Sequence, residues 1–372
     1  MKIAIVGGHL SPALGVIDAL PEKDSVVFLG RKYALEGDKT VSLEYNEITK
    51  RGITFLPLTT SRLQRKLTAR TLPSFLKLPV GLYQAVSYLR KENPDVVLTF
   101  GGYLSIPVGY AAKFLGIPLV IHEQTLEAGL ANKVLGKIAQ RVCVSWETST
   151  HYFPKTKTVV TGNPLKEFKV GSFPFSFAKK DSGLPLIYIT GGSTGSHAIN
   201  SLVLGSLPEL VENYRIIHQT GDSKEFRDYD RLISAKSKLG SDKRDRYIVE
   251  KFIQPNSVGS VLEEATVVVS RSGMNTVNEL MYFGKPAVLI PLPHGQKQEQ
   301  ANNARFLQNL GLAVVLPQET ATAAAFAKTI DEMVSHKDKY LKNVKHAKAL
   351  LHPRAAHEIL HILSYVVKKK SS

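Results

Sequence analysis

The run Ser270 to Glu279 has the composition of a turn that binds a phosphorylated ligand. Gly273 permits a tight turn between an apolar run and a helical pattern, and the free N–H groups at the helix start can bind a diphosphate. Glu279 lies further along the helix, where a carboxylate can accept hydrogen bonds from two ribose hydroxyls. An ordinary strand-to-helix turn, capped by Ser and Asn, is the alternative. Taken alone, the run only mildly favours phosphate binding.

Three further glycine turns follow apolar runs. They are Gly7-Gly8-His9, Gly101-Gly102-Tyr103, and Gly191-Gly192 continuing to Ser196. Each is expected at the carboxyl end of a strand, where open α/β sheets place ligands and glycine pairs allow close approach to the backbone. The first turn lacks the Gly-x-Gly-x-x-Gly spacing of a dinucleotide site, so a nicotinamide cofactor is not expected.

The elements that must position these turns alternate between strand and helix. Runs rich in Val, Ile and Leu predict strands at 3–6, 26–29, 53–56, 96–99, 119–122, 142–144, 186–190, 216–219, 247–249, 267–270, 287–291 and 313–316. Helical patterns lie between them, for example at 80–91, 103–115, 275–283 and 299–310. Continuous apolar runs are typical of strands covered on both faces, so the sequence predicts a doubly wound α/β fold.

Turn-forming residues interrupt this alternation between Thr161 and Pro185. Because 372 residues exceed the usual size of one domain, we predict an N-terminal domain at 1–163 and a C-terminal domain at 164–350. Two Rossmann-like domains facing each other across a cleft are the expected architecture. A final helix at 354–370 carries apolar residues on one face and is expected to pack back on the N-terminal domain.

The composition is globular and basic. Hydrophobic residues make up 43%, and 48 Lys and Arg against 32 Asp and Glu give a net charge of +16, which indicates an anionic partner. The single cysteine, Cys143, excludes a disulfide framework. The sequence has no signal peptide and no apolar stretch of about 20 residues, so a cytoplasmic protein is expected.

Several motifs occur in an order that resembles one known family. They are Gly7-Gly8-His9, Phe100 to Tyr103, His122-Glu123-Gln124, Gly162-Asn163-Pro164, Gly191-Gly192-Ser193, His218 to Gly221, Arg271 to Glu279, and Gln300 with Asn303-Ala304. The set is similar to the MurG family of peptidoglycan synthesis, from the first strand to about residue 316. The resemblance implies a GT-B fold and inverting transfer of N-acetylglucosamine from its UDP donor to a muramyl-pentapeptide on undecaprenyl diphosphate. It also implies action at the cytoplasmic face of the membrane, with the UDP-sugar as substrate and no cofactor or metal.

The resemblance implies roles for individual residues. On the donor side, Glu279 is expected at the ribose, Ser193 at a phosphate, and Ile253 at the uracil through its backbone. The remaining donor-binding candidates are Gly273, Thr276 and Val277 on the phosphate side, Gln300 at the sugar hydroxyls, and Thr125 and Lys166. The phosphate and acceptor loops are Gly7, Gly8, Gly101, Gly102, Tyr103, Gly191 and Gly192.

His9 is the first candidate for the catalytic base, because an imidazole pKa lies near neutrality. His122 and Glu123 are further candidates for the base or for orienting the acceptor loop. A structural role remains an alternative for His9, and a buried, hydrogen-bonded histidine for His122.

The chain departs from the family at three places. Its first glycine loop is shorter, Thr125 replaces Asn, and Lys166 replaces Arg. The donor half therefore matches better than the acceptor half. A glycolipid synthase acting on diacylglycerol, or a catalytically silent subunit that docks a partner to the membrane, remain alternatives, with a UDP-sugar epimerase as a weaker third.

One basic stretch has the composition of a membrane-binding surface. Its residues are Arg62, Arg65, Lys66, Arg70, Leu72, Phe75 and Leu76. Cationic and apolar side chains together favour an anionic leaflet, although solvated loop charges are the alternative. We therefore expect a peripheral protein on the cytoplasmic face of the membrane. No nucleic-acid-binding module or metal-ligand spacing is recognisable.

Overall fold

The computed structural model describes residues 1–33, 41–59, 77–165, 171–178, 181, 183–192, 194–223, 225–293 and 298–371. The chain divides into two compact units. Unit 1 comprises Met1–Glu167 together with His352–Ser372, and unit 2 comprises Phe168–Leu351. The last helix thus belongs with the N-terminal half of the sequence.

Unit 1 contains one parallel sheet. Its strands are β1 (Lys2–Val6), β2 (Ser25–Gly30), β3 (Thr54–Pro57), β4 (Val96–Thr99), β5 (Leu119–Glu123), β6 (Arg141–Val144) and β7 (Thr158–Val160). They lie in the order β3-β2-β1-β4-β5-β6-β7. The described helices before the boundary are α1 (Leu10–Asp18), α2 (Leu43–Lys50), α3 (Lys77–Glu92), α4 (Ser105–Phe114) and α5 (Leu130–Gly136).

Unit 2 repeats this plan. Its strands are β8 (Leu186–Thr190), β9 (Arg215–Gln219), β10 (Tyr247–Glu250), β11 (Val267–Ser270), β12 (Ala287–Leu289) and β13 (Ala313–Val315), in the order β10-β9-β8-β11-β12-β13. The helices are α6 (His197–Asn213), α7 (Asp228–Ser237), α8 (Ser241–Arg244), α9 (Pro255–Glu264), α10 (Met274–Phe283), α11 (Glu299–Asn309), α12 (Ala323–Ser335), α13 (Lys337–Leu341) and α14 (Val344–Ala349).

Both faces of each sheet are covered. In β1, Ala4 and Val6 belong to one apolar cluster and Ile3 and Ile5 to another, as expected for side chains that alternate across a sheet. The second cluster is completed by the last helix, α15 (Ala355–Ser371). Its residues Ile359, Leu360, Leu363 and Val366 are buried there, so α15 forms part of the unit 1 core.

The fold class predicted from the sequence, two parallel-sheet α/β units, is confirmed. Every predicted strand is present, with bounds that differ by at most two residues. Strand β7 was not predicted, because its three residues are half-buried or exposed at the sheet edge. The helix predicted from residue 103 begins at Ser105, after two glycines with φ of +77°. No helix in the described ranges is long and apolar enough to span a bilayer.

Candidate active site

The four predicted glycine turns lie at equivalent places in the two sheets. The strand order reverses between β1 and β4 in unit 1 and between β8 and β11 in unit 2. Open α/β sheets bind ligands outside the carboxyl ends of the strands at such a reversal. The turns that begin at Gly7, Gly101, Gly191 and Arg271 follow these four strands. Each unit therefore carries one candidate binding edge.

The two glycine turns of unit 1 lie in direct contact. A Cβ on Gly8 would overlap the carbonyl oxygen of Gly101, and one on Gly102 would lie 3.1 Å from the Gly8 Cα. Only glycine allows this approach, and Gly102 also has a φ of +77°. The contact fixes the Gly7–His9 turn against the turn that ends at Tyr103.

His9 immediately precedes α1, and its ring has a defined orientation. Nδ1 lies 2.8 Å from the carbonyl oxygen of Phe100. Because a carbonyl can only accept, Nδ1 carries the proton and Nε2 of the neutral ring is left as an acceptor. The side chain is half-buried, and no side chain caps the start of α1. His9 can therefore take a proton through Nε2.

His122 is buried at the end of β5. Its Nε2 lies 3.0 Å from the carbonyl oxygen of Gly162, and its ring centroid lies 5.4 Å from that of Phe100. Burial lowers the pKa of His122 to about 4, so the ring is neutral. With 1% of its surface exposed, His122 cannot reach an acceptor hydroxyl in this conformation. The structure therefore supports the alternative of a buried, hydrogen-bonded histidine, and a role as base stays a prediction.

Glu123 is also buried, and its carboxylate is fully used. One oxygen accepts from the Thr125 N–H at 3.0 Å and lies 2.6 Å from the Thr125 hydroxyl. The other accepts from the Gly129 N–H at 2.8 Å and from Asn132 Nδ2 at 3.0 Å. These bonds organise the loop after β5 and leave no exposed oxygen for a proton. The structure thus shows Glu123 ordering the loop after β5, in keeping with the alternative of an orienting role, and its role as a base stays a prediction.

Thr125 is a buried residue of unit 1, with 6% of its side chain exposed. Its hydroxyl lies 2.6 Å from the Glu127 carbonyl oxygen as well as from Glu123. In the structure the hydroxyl is therefore paired within the loop, and its contact to the donor sugar stays a prediction.

Unit 2 has a second pair of glycine turns in contact. A Cβ on Gly195 would overlap the carbonyl oxygen of Thr220, and one on Gly221 would lie 2.5 Å from the Gly195 Cα. The turn after β8 leads into α6, which Ser196 caps by accepting from the Ile199 N–H at 3.4 Å. Gly191 and Gly192 thus lie at the end of β8, close to the start of a long helix.

The start of α10 has backbone donors that make no hydrogen bond to any described residue. Gly273 is the N-cap without a side-chain hydrogen bond, and the Val277 N–H is the first to bond within the helix, to the Gly273 carbonyl oxygen at 3.0 Å. The N–H groups of Met274, Asn275 and Thr276 therefore point out of the helix end. Together with the helix dipole they form a site suited to an anion.

The side chain of Val277 is fully buried, and its N–H is used inside the helix. The helix turns the Val277 side chain towards the core, whereas Thr276 stays half-buried near the start of α10. The place of Val277 on the phosphate side stays a prediction.

Arg271 joins the two helix starts of unit 2. Its Nη2 donates to the Ser196 hydroxyl and to Gln318 Oε1, both at 2.7 Å, and its Nη1 donates to the Ile290 carbonyl oxygen at 2.9 Å. Burial lowers the pKa of the guanidinium. The sequence shows Arg271 as part of the motif but does not predict it as a site residue. Its type was visible in the sequence, but its partners lie on distant loops.

Ile253 and the glycine turn after β8 are linked through Gln219. The Ile253 N–H donates to Gln219 Oε1 at 3.1 Å, and Gln219 Nε2 donates to the Gly192 carbonyl oxygen at 3.1 Å. The Ile253 N–H is therefore already paired, and a backbone contact to uracil is left to other atoms of the segment.

Two further donor candidates lie on α10 and α11. Gln300 accepts from the Leu292 N–H at 3.0 Å through Oε1, which turns its amide nitrogen the other way. Glu279 is half-buried on α10, and its charge adds to burial in raising the pKa of Tyr188, a residue of β8. The Ser272 hydroxyl, in the turn after β11, donates to the Gln300 carbonyl oxygen at 2.7 Å, which places Gln300 beside that turn.

Some predicted residues lie outside the described ranges. They are Lys166, Ser193 and the whole predicted membrane-binding set, Arg62, Arg65, Lys66, Arg70, Leu72, Phe75 and Leu76. In the part of the chain that is described, no three His, Cys, Asp or Glu side chains are grouped to hold a metal ion.

Comparison with known proteins places the chain in a family. The profile of the glycosyltransferase family 28 N-terminal domain matches residues 6–144, and that of the family 28 C-terminal domain matches residues 186–359. The chain is 32% identical to the UDP-N-acetylglucosamine–N-acetylmuramyl-(pentapeptide) pyrophosphoryl-undecaprenol N-acetylglucosamine transferase 1 of Bacillus cereus, over 98% of this chain and 97% of that protein.

Two further relatives agree. The transferase of the same name from Natranaerobius thermophilus is 31% identical, over 99% of this chain and 100% of that protein. The crystal structure of Acinetobacter baumannii MurG superposes with a TM-score of 0.69 at 25% identity and covers 98% of this chain and 100% of its own. With the two glycine-turn edges described above, these matches show that the chain belongs to glycosyltransferase family 28 and, within it, to the MurG family of GT-B N-acetylglucosaminyltransferases.

Proposed function

We propose that the chain transfers N-acetylglucosamine from UDP-N-acetylglucosamine to the undecaprenyl-linked muramyl-pentapeptide, with inversion at the anomeric carbon. The observation that carries this proposal is the pair of helix starts in unit 2, α6 and α10, joined by Arg271 beside the Gly191–Gly192 turn. Backbone donors arranged in this way suit a diphosphate. The names of the relatives supply the sugar and the acceptor.

Unit 2 holds the donor in this proposal. The N–H groups of Met274, Asn275 and Thr276 bind the diphosphate and stabilise its charge as UDP leaves. Glu279 accepts hydrogen bonds from the ribose hydroxyls. Gln300 contacts the sugar through its amide nitrogen, because its Oε1 already accepts a hydrogen bond from the Leu292 N–H.

Unit 1 supplies the proton acceptor. The acceptor hydroxyl attacks the anomeric carbon on the face opposite UDP, and Nε2 of His9 takes the hydroxyl proton as the new C–O bond forms. The bond between Nδ1 and the Phe100 carbonyl holds the tautomer that this step needs, and it also stabilises the imidazolium that results. No metal or cofactor takes part in the proposed step.

A peripheral position on the cytoplasmic face of the membrane completes the proposal. Two neighbouring helices of unit 1, α3 and α4, expose aromatic side chains: Tyr83 is 76% exposed, Phe114 72% and Tyr110 44%. Exposed Arg90, Lys91 and Lys113 lie on the same two helices. Aromatic and cationic side chains together favour an anionic bilayer surface. There the product would supply peptidoglycan synthesis for cell shape and division.

The test uses the purified chain with labelled UDP-N-acetylglucosamine and the undecaprenyl-linked muramyl-pentapeptide. We expect a labelled lipid-linked disaccharide, and its absence would contradict the acceptor. Transfer to diacylglycerol instead would identify a glycolipid synthase. Binding of UDP without any turnover would identify a silent docking subunit.

A further inference from the structure

A carboxyl group lies against the Gly7–His9 turn of unit 1. Glu44 belongs to the first turn of α2, and its side chain fills the space that two glycines leave open at the ends of β1 and β2. A Cβ on Gly7 would overlap Oε1 of Glu44, and one on Gly30 would lie 2.7 Å from the same oxygen. The two glycines therefore create the slot that holds the carboxyl.

The slot offers little to an ionised carboxylate. Oε1 of Glu44 is buried and has no hydrogen-bond partner among the described residues. Oε2 accepts one long bond, from the Arg31 N–H at 3.4 Å. Burial raises the pKa of Glu44 to about 7, while the N–H and the charge of Arg31 lower it. A buried carboxyl with an unpaired oxygen favours its neutral form.

Few charged groups among the described residues face this carboxyl. Arg31, at the end of β2, is the cation that acts on it, and the Arg31 guanidinium also lies 5.7 Å from the centroid of the Tyr103 ring. On the turn after β1, His9 directs Nδ1 to Phe100. The other ionisable neighbours are Lys32, which lies above the rings of Tyr33 and Tyr45, and those two tyrosines themselves. The neighbouring strand β3 contributes an apolar ring, that of Phe55, 2.9 Å from a Cβ built on Gly30.

We propose that Glu44 is a positioning residue that couples anion binding at the Gly7–His9 turn to the uptake of a proton. A phosphate group binds there when the Glu44 carboxyl is neutral and is repelled when the carboxyl is ionised, because two like charges repel strongly in a poorly hydrated site. The inference rests on the proposed function, in which the anion at this turn is the diphosphate of the lipid-linked acceptor. The coupling is reciprocal, so a bound phosphate also favours the neutral carboxyl.

Binding of dimethyl diphosphate, with one methyl on each phosphorus, tests the coupling without turnover. This diester keeps two negative charges near neutrality, and a saturating concentration of UDP keeps it out of the donor site. Affinity is measured by calorimetry at about pH 6 and about pH 8 on the full chain. We expect wild-type affinity to fall about tenfold between these values, as for a group that must be protonated and titrates near neutrality. The E44Q variant should bind equally well at both.

Matched variants separate Glu44 from its neighbours. E47Q removes another carboxyl of α2 and should behave like the wild type. Repeating the series in an H9Q background removes the imidazole ring, and the difference between wild-type Glu44 and E44Q should persist there. The proposal is overturned if E44Q keeps the wild-type pH dependence, if E44Q binds more weakly at both pH values, or if the wild type does not bind the diester.

The transfer reaction gives the second readout. For the muramyl lipid, kcat/KM of the wild type should fall above neutral pH and that of E44Q should not, while KM for UDP-N-acetylglucosamine stays unchanged in both. Failure of the proposed function gives a different result from failure of this inference. If the chain does not transfer to the muramyl lipid but diester affinity still falls with pH in the wild type and not in E44Q, the acceptor assignment is wrong and the role of Glu44 stands.

Discussion

The two units share one architecture but offer different chemistry at their binding edges. In both, two glycine turns lie in contact, so that backbone comes close to any ligand: in unit 1 they follow β1 and β4, and in unit 2 they follow β8 and β9. Unit 1 adds two side chains to its turn, His9, whose ring is oriented by Phe100, and Glu44, whose pKa is raised by burial to about 7. Unit 2 instead adds helix N–H groups and a permanently charged guanidinium, Arg271. In our proposals the unit 1 edge combines proton transfer with binding of the acceptor diphosphate, and the unit 2 edge binds the diphosphate of the donor.

Replacing His9 should give the largest effect and test the first half of this comparison. For H9A we expect kcat to fall by about 10²–10⁴-fold, the usual contribution of a general base, with KM for UDP-N-acetylglucosamine within about twofold of the wild type. Steady-state kinetics with both substrates measure this. H151A, which removes an exposed histidine of the same unit, serves as the control. A wild-type kcat in H9A would remove His9 from the mechanism, and weakened UDP binding would remove the division between the two edges.

Replacing Arg271 tests the second half. R271K keeps the charge but loses the planar fork that reaches Ser196, Gln318 and Ile290 at once. Because hydrogen bonds from a charged group contribute about 1.5–3 kcal/mol each, we expect the dissociation constant for UDP to rise by roughly 10–100-fold. Isothermal titration calorimetry with UDP measures it.

Arg246 offers a matched control for that variant. It lies in the same unit and also bridges distant groups, bonding Asp181 at 2.9 Å and the carbonyl oxygens of Val211 and Glu212 at 3.0 and 2.9 Å. R246K should lower stability without changing UDP affinity. Equal losses of UDP affinity in R246K and R271K would mean that Arg271 acts only through general stability.

Acidification should lower the stability of both units by a similar amount, since each has a fully buried histidine. Burial lowers the pKa of His122 in unit 1 to about 4 and that of His218 in unit 2 to about 3. The unfolded chain protonates these rings below about pH 6.5 while the folded chain does not, so stability is unaffected above that pH and falls below it. At about pH 5 each ring should cost about 2 kcal/mol. Urea unfolding at about pH 5 and pH 7.5 measures the loss.

Substitution of each histidine by a non-titrating residue should assign the loss to its unit. H122N and H218N should each remove about half of the pH-dependent loss of stability, even though both lower stability at neutral pH. If neither variant flattens the pH dependence, acid sensitivity arises from other groups.

The sequence was sufficient for the fold and for the location of the turns, because both depend on local patterns. Continuous apolar runs predicted the strands, and the glycine pairs after them marked the binding edges. It was insufficient for side chains whose role depends on distant partners. Glu44 acquires its role from Gly7 and Gly30, and Arg271 from loops 19 to 75 residues away. Nothing local distinguishes such residues from solvated charges.

The residues whose roles the family resemblance implies also depend on contacts that the motifs do not show. His9 has a free ring nitrogen because the Phe100 carbonyl, 91 residues away, occupies the other. Glu123 and Thr125 bond each other and the loop around them, which the motif alone does not reveal. Val277 sits one position beyond the free N–H groups of α10, and that single step places its side chain in the core.

The pair Thr276 and Val277 gives the smallest and sharpest test of the unit 2 edge. V277T places a hydroxyl in the apolar core and should cost about 1–3 kcal/mol of unfolding free energy while leaving UDP affinity unchanged. T276V keeps the backbone N–H that is proposed to bind the diphosphate, so stability should hold and UDP affinity should change by less than about threefold, the expectation for a side chain outside the contact. Urea unfolding and UDP titration of both variants measure these effects. If V277T weakens UDP binding tenfold at unchanged stability, the side chain of Val277 contacts the ligand after all, and the division between core and binding edge within this turn of α10 is wrong.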